Sequence, residues 1–274
     1  MKPTLRFVDL DASHLPGAVQ LSTAVGWPHQ VADWAFSANL SKGVVALDGD
    51  RVVGTAMATP FGPVAMANMI IVAAEWQGRG LGRDVMQRAM DRVPAPAWQL
   101  VATPQGVPLY TRLGFVQIAQ IVQHSGLVDQ VTPQGSAEWA KSADHDAIVA
   151  LDRAASGKDR AALYRALTSA RFAVLRHQGE IVGFAAVRRF GQGEVIGPVV
   201  GENLETAKSL IALIMSERQG RFLRLDTDVR SGLAPWLSAC GLAQVGDGLQ
   251  MQKGQTELRQ TRHHVYALAS QALG

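Results

Sequence analysis

The chain has 274 residues, 47% of them hydrophobic, with a formal net charge of +3 and one cysteine, Cys240. That length suits two domains better than one and supplies a sizeable core; the lone cysteine excludes an internal disulfide and points to a reducing, cytoplasmic setting. No run of like charge, signal-peptide pattern or apolar stretch of membrane-spanning length occurs, so neither nucleic acid nor membrane is an expected partner.

Leu5 to Val8 alternates like a first strand, and Asp11 to Leu40 reads as two short helices broken at Gly26-Trp27-Pro28. Val44–Leu47 and Arg51–Thr59 are strands joined by the hairpin signal Asp48-Gly49-Asp50. After the turn at Pro60–Pro63 comes the apolar, β-branched run Ile70-Ile71-Val72, then Glu75-Trp76-Gln77 and the glycine-rich Gly78-Arg79-Gly80-Leu81-Gly82-Arg83. A helix follows, with Val85, Met86, Ala89, Met90 and Val93 on one face, and Pro94 and Pro96 stop it. Trp98–Ala102 is another strand, Pro104–Leu113 a short helix capped by Gly114, and Phe115–Val122 a returning strand.

Strand, glycine loop and helix N-terminus together offer unpaired backbone N–H groups and a positive dipole end to a phosphate. A dinucleotide fingerprint is excluded because Arg83 stands where a small residue is needed, and a Walker loop because no Gly-Lys-Ser/Thr triplet ends the run. Gln77, Gly80 and Gly82 instead form a Q-x-x-G-x-G pattern that resembles the acetyl-CoA pyrophosphate loop of the GCN5-related N-acetyltransferases (GNATs). The segment Leu109-Tyr110-Thr111-Arg112-Leu113-Gly114-Phe115 resembles a second motif of that family, and the β-α-α-β-β-β-α-β-α-β order agrees with its fold.

The second half echoes the first. Phe172–Gly183 mirrors the hairpin ending at Gly54, and Trp236–Leu242 mirrors the segment around Gly114, at nearly equal separations. A repeat this long implies two similar domains, here residues 1–130 and 131–274, with the boundary near the Thr132-Pro133-Gln134-Gly135 connector. The expected fold class is α+β: two tandem GNAT-like domains, each a mixed, mostly antiparallel sheet flanked by helices. At the loop position the second half carries Gly201-Glu202-Asn203-Leu204-Glu205-Thr206, where two carboxylates oppose a bound anion. The resemblance is therefore to tandem proteins with a degenerate C-terminal copy. His263–Leu273 is expected to form a short docking helix.

The resemblance implies acetyl transfer from acetyl-CoA to a primary amine of a small-molecule or peptide acceptor by direct transfer, with no metal; His263 and His264 lack the partner spacing of a metal site. By resemblance Ile70 and Val72 pair with the pantetheine arm, and residues 77–83 hold the pyrophosphate. Tyr110 is the candidate general acid, since a phenol suits a departing thiolate. Glu75 is a weaker candidate base, acting through water. Trp27, His29 and Trp34 form an aromatic cluster suited to a cationic or aromatic acceptor, or else a core cluster joining the two helices, and Asp226 could line a cleft shared by the halves. The alternative is a non-catalytic CoA-binding sensor or scaffold, against which the presence of Tyr110 argues.

Overall fold

The computed structural model describes residues 5–133, 135–256 and 261–274. The first half runs β1 (Arg6–Asp9), α1 (Leu15–Ala24), α2 (Val31–Asn39), β2 (Lys42–Asp48), β3 (Arg51–Phe61), β4 (Val64–Val72), α3 (Leu81–Met90), β5 (Ala97–Ala102), α4 (Val107–Arg112) and β6 (Val116–Leu127). The second half repeats the plan as β7 (Glu138–Trp139), α5 (His145–Ser156), α6 (Ala161–Ala166), β8 (Arg171–His177), β9 (Glu180–Phe190), β10 (Gly193–Gly201), α7 (Leu204–Ser216), β11 (Phe222–Asp228), α8 (Ala234–Ala239) and β12 (Ala243–Lys253), followed by β13 (His264–Ala267). The architecture is α+β, with two GNAT-type units built on a mixed, mostly antiparallel sheet.

Helices cover both faces of the first half's sheet, which is why β3 and β4 read as nearly continuous apolar runs rather than alternating ones. Gly17 of α1 lies against Val52, whereas Leu81 of α3 packs on Gly54, across a bulge in β3 that turns these two positions to opposite sides. On α3, Leu81, Val85, Met86 and Ala89 face inward while Gln87 and Arg88 are exposed. Burying a side chain such as Val85 or Met86 stabilises by about 2 kcal/mol.

The polypeptide junction between the repeats does not divide the sheet. Strand order is β1-β2-β3-β4-β5-β12-β6-β11-β10-β9-β8-β7. β12 of the second half lies between β5 and β6, and β6 of the first lies between β12 and β11. Each half thus donates its last repeat strand to the slot beside the other's fifth. Shortening the chain to residues 1–130 would strip β5 of its β12 neighbour and β6 of both of its partners, leaving open edges. Such a fragment is expected to aggregate or to lack a cooperative thermal transition by circular dichroism. A monomeric fragment that melts cooperatively would contradict this reciprocal dependence.

The end of the chain differs from the sequence expectation. Residues His264–Ala267 form a strand, antiparallel to β10, and Ser270–Gly274 a tight turn, not a helix. The Ala/Leu spacing is compatible with a helix, but β10 presents an unpaired edge that only an extended segment can satisfy. Among the described residues, no helix is long and apolar enough to cross a membrane.

Candidate active site

β4 and β5 run parallel and pair only at their starts, Val64–Met66 against Ala97–Gln99. Beyond that point they diverge, and the edge of β4 turned away from β3 has no ladder partner among the described residues. A bulge interrupts β4 in the same region. The register with β3 shifts between Thr55 and Met57, Met69 adopts φ +49°, and Thr55 Oγ1 donates to Met69 O at 2.8 Å. Bulges re-aim backbone groups, and this one turns the Ile70–Val72 segment into the opening.

The glycine loop closes one end of that opening. Gly80 is the N-cap of α3 at φ +88°, a left-handed conformation costly for any residue with a Cβ, and no side chain caps the helix. The first N–H groups of α3 therefore point outward unpaired, at the positive end of the helix dipole. The Gln77 side chain braces the loop by donating from Nε2 to Val72 O at 3.0 Å. Arg79 lies over the Trp76 ring, 5.4 Å from its centre, and Arg83 sits beside Asp84 at 3.4 Å. Ile70, Val72, Gln77, Gly78, Gly80, Leu81, Gly82 and Arg83 all line one cavity of about 810 Å³, a volume suited to a cofactor-sized ligand. Arg79 is the member of residues 77–83 that lies outside its lining.

Tyr110 lines the same cavity from α4. Its ring packs edge-on to Phe115, with centroids 6.2 Å apart, and is almost fully buried. Gly106 makes that position possible: a Cβ there would come within 2.7 Å of the Tyr110 ring. The hydroxyl has no hydrogen-bond partner among the described residues, and burial raises its pKa above the ordinary phenol value. Sequence reasoning did not single out Gly106, Thr103, Gln105 or Arg112, which also line the cavity. The one available signal was Gly106, a glycine one turn before Tyr110.

The other expected residues separate into distinct places. Glu75 lies outside the cavity lining; it pairs with Arg51 at 2.6 Å, and its own backbone N–H and then Arg51 hold its carboxyl below the usual range. Trp27 lines the cavity. His29 stacks at a tilt on Trp27, centroids 5.6 Å apart, and edge-on to Phe190 of β9 at 5.2 Å. Burial first, then Arg224, pushes the His29 pKa down to about 4, so the ring is neutral at physiological pH. Trp34 is fully buried, and its Nε1 donates to Ser22 Oγ at 3.1 Å, which ties α2 to α1. Asp226 is fully buried in an ion pair with Arg224 at 3.0 Å and also accepts from Gln271. No group of three His, Cys, Asp or Glu side chains converges as a metal site among the described residues.

In the second half the equivalent cleft is filled by the chain itself. β10 and β11 pair only at Glu194–Val195 with Leu223–Arg224 and then diverge, as β4 and β5 do. β13 enters the gap, pairing Val199 with Ala267 and Gly201 with His264. On the other side Leu268 N donates to Asp226 O at 2.9 Å, and Thr227 Oγ1 donates to Tyr266 O at 2.5 Å. The helix end that would meet a phosphate is also satisfied internally. Asn203 caps α7 by accepting from Thr206 N at 2.9 Å, and Glu202 pairs with Arg262 at 2.9 Å.

Comparison with known proteins gives a consistent picture. Two family models, each described as an acetyltransferase (GNAT) domain, match residues 39–117 and 148–267, which together make up more than half of the chain. A Bacillus subtilis protein named as an uncharacterized N-acetyltransferase, YitH, is 27% identical over 97% of this chain and 98% of its own length. Holothin acyltransferase of a Pseudoalteromonas species is 24% identical over 77% of this chain and 73% of that protein. A crystal structure from Pyrococcus horikoshii superimposes with a TM-score of 0.81 at 18% identity, covering 100% of this chain and 97% of the other, and so shares its fold.

Proposed function

The chain is an acyltransferase of the GNAT family, and from that premise we propose that it transfers an acetyl group from acetyl-CoA directly to a primary amine of a small molecule. The observation that carries this reading is the convergence on one cavity of an uncapped helix N-terminus, an unpaired strand edge and the Tyr110 hydroxyl. The N–H groups at the start of α3 and the Arg83 guanidinium hold the pyrophosphate. The free edge of β4 at Ile70 and Val72 pairs with the amide-bearing arm and aims a backbone N–H at the thioester carbonyl, as an oxyanion hole does. The neutral amine attacks the carbonyl carbon, the C–N bond forms, and the C–S bond breaks. Tyr110 gives its proton to the departing sulfur, and the nitrogen sheds its own to solvent. A sensor needs no proton donor beside the thioester, so the placement of Tyr110 favours turnover. The relative named for acyl transfer to holothin supports a small-molecule acceptor.

A thiol-release screen with acetyl-CoA against amino acids, polyamines, amino sugars and peptides tests the reading. Release that depends on an amine is the expected result, and tight acetyl-CoA binding without release on any amine would contradict it.

With Tyr110 as the acid, its raised pKa predicts the shape of the pH profile. A raised pKa means that the phenol keeps its proton to higher pH than free tyrosine. Activity should therefore rise with pH as the acceptor amine loses its proton, with no descending limb below about pH 10. A fall in kcat/KM between pH 8 and 10 in a pH–rate series would assign the proton to a different group.

A further inference from the structure

Four arginines are buried among the described residues: Arg160, Arg188, Arg218 and Arg224. Three are neutralised by a carboxylate, Arg160 by Asp152, Arg218 by Glu194 and Arg224 by Asp226. Arg188, on β9, is 8% exposed and has no carboxylate partner among the described residues. Its Nη1 and Nη2 donate to the backbone carbonyls of Arg189 and Ala269 at 3.2 and 3.3 Å, and its buried Nε–H has no partner among the described residues. A buried guanidinium with an unspent donor costs stability unless something else receives it.

The surroundings hold this group in place without neutralising it. Phe36 of α2 and Phe190 lie 4.9 and 5.4 Å from the guanidinium carbon, so rings from both halves brace it. The two nearest acids are committed elsewhere. Asp33 accepts from the backbone N–H groups of Gln30 and Gly191, and Asp226 is taken by Arg224 and Gln271. Burial lowers the Arg188 pKa to about 10, which leaves it cationic at neutral pH. A chain of packed rings leads from the cavity to this position. Trp27 lines that cavity and stacks on His29; His29 packs on Phe190, and Phe190 on Arg188. His29 Nδ1 is a second buried, unpartnered atom on this path.

We propose that Arg188 receives a carboxylate of the acceptor, so that the substrate is an amine of the amino-acid class and the second half supplies its recognition. This assignment rests on the acetyl-transfer reading above. The Nε edge of a guanidinium suits a carboxylate, which accepts in the plane of the fork. The neutral His29 ring offers a further hydrogen bond beside it.

The test is a matched-pair acceptor screen on the full chain, with each amino acid set against its amide and its decarboxylated amine, read by acetyl-CoA-dependent thiol release. The free acid is expected to exceed both analogues in kcat/KM by about 30-fold or more, chiefly through KM. In Arg188→Gln that preference should vanish, with KM for the acid raised about 10²-fold and acetyl-CoA affinity unchanged; Arg188→Lys should keep part of the preference. Amides or decarboxylated amines that serve the wild-type chain as well as the acids would overturn the proposal, whether or not the variants fold. So would an unchanged KM in a folded Arg188→Gln chain. If no amine releases thiol, the transfer reading itself fails and this assignment falls with it.

Discussion

A Gly80→Val chain is expected to fold and to bind acetyl-CoA about 10²-fold or more weakly than the parent. Gly80 stands at φ +88°, and a Cβ there would meet only Arg83 Nη2, at 3.9 Å. The fold therefore has room for the added side chain, at a local backbone cost of about 1–3 kcal/mol. What the side chain blocks is the approach of the pyrophosphate to the first N–H groups of α3. Each charge-assisted hydrogen bond lost there is worth about 1.5–3 kcal/mol, so losing two reaches the stated factor or exceeds it. Calorimetry on the folded variant checks this. An unchanged dissociation constant would remove the glycine loop from the binding account.

The second large effect belongs to Tyr110. Tyr110→Phe keeps the ring that packs on Gly106 and Phe115 and removes only the hydroxyl. Acetyl-CoA affinity should stay nearly constant while the transfer step slows by about 10²-fold, the ordinary contribution of a positioned general acid. Single-turnover kinetics separates that step from product release. A rate within a few-fold of the parent, with chemistry limiting, would reduce Tyr110 to a packing residue. A companion Gly106→Ala variant should also slow transfer with Tyr110 intact, because the new methyl would displace the ring.

What was legible in the sequence was local. Gly78, Gly80 and Gly82 between an apolar run and an amphipathic helix announce a strand–loop–helix turn with exposed N–H groups, because the conformation they permit and the N–H groups they free are adjacent in the chain. The Tyr110 segment was legible for the same reason. The pairing of β6 with β11 and of β5 with β12 was not, since either half's pattern is equally consistent with closing on itself. The same limit explains the misreading of His264–Ala267. Its composition is compatible with a helix, and only the open edge of β10, far away in sequence, makes it a strand. Glu202 and Glu205 signalled a loop hostile to anions, but β13 fills the cleft itself, and no motif announces that. Arg188 gave no sequence signal either; its distinction is the missing carboxylate, a property of the packed structure.

We propose that one cleft of the pair, in the first half, accepts acetyl-CoA; the chain's own strand occupies the other. The second cleft offers little to a competitor. β13 is bonded to β10 on one side and to β11 on the other, Asn203 caps the helix end, and Glu202 is paired with Arg262. Isothermal titration of the full chain with acetyl-CoA measures this most directly. A stoichiometry of one per chain is expected, with the affinity of that site lowered about 10²-fold or more by Gly80→Val. A stoichiometry of two, or one site that survives Gly80→Val unchanged, would contradict it.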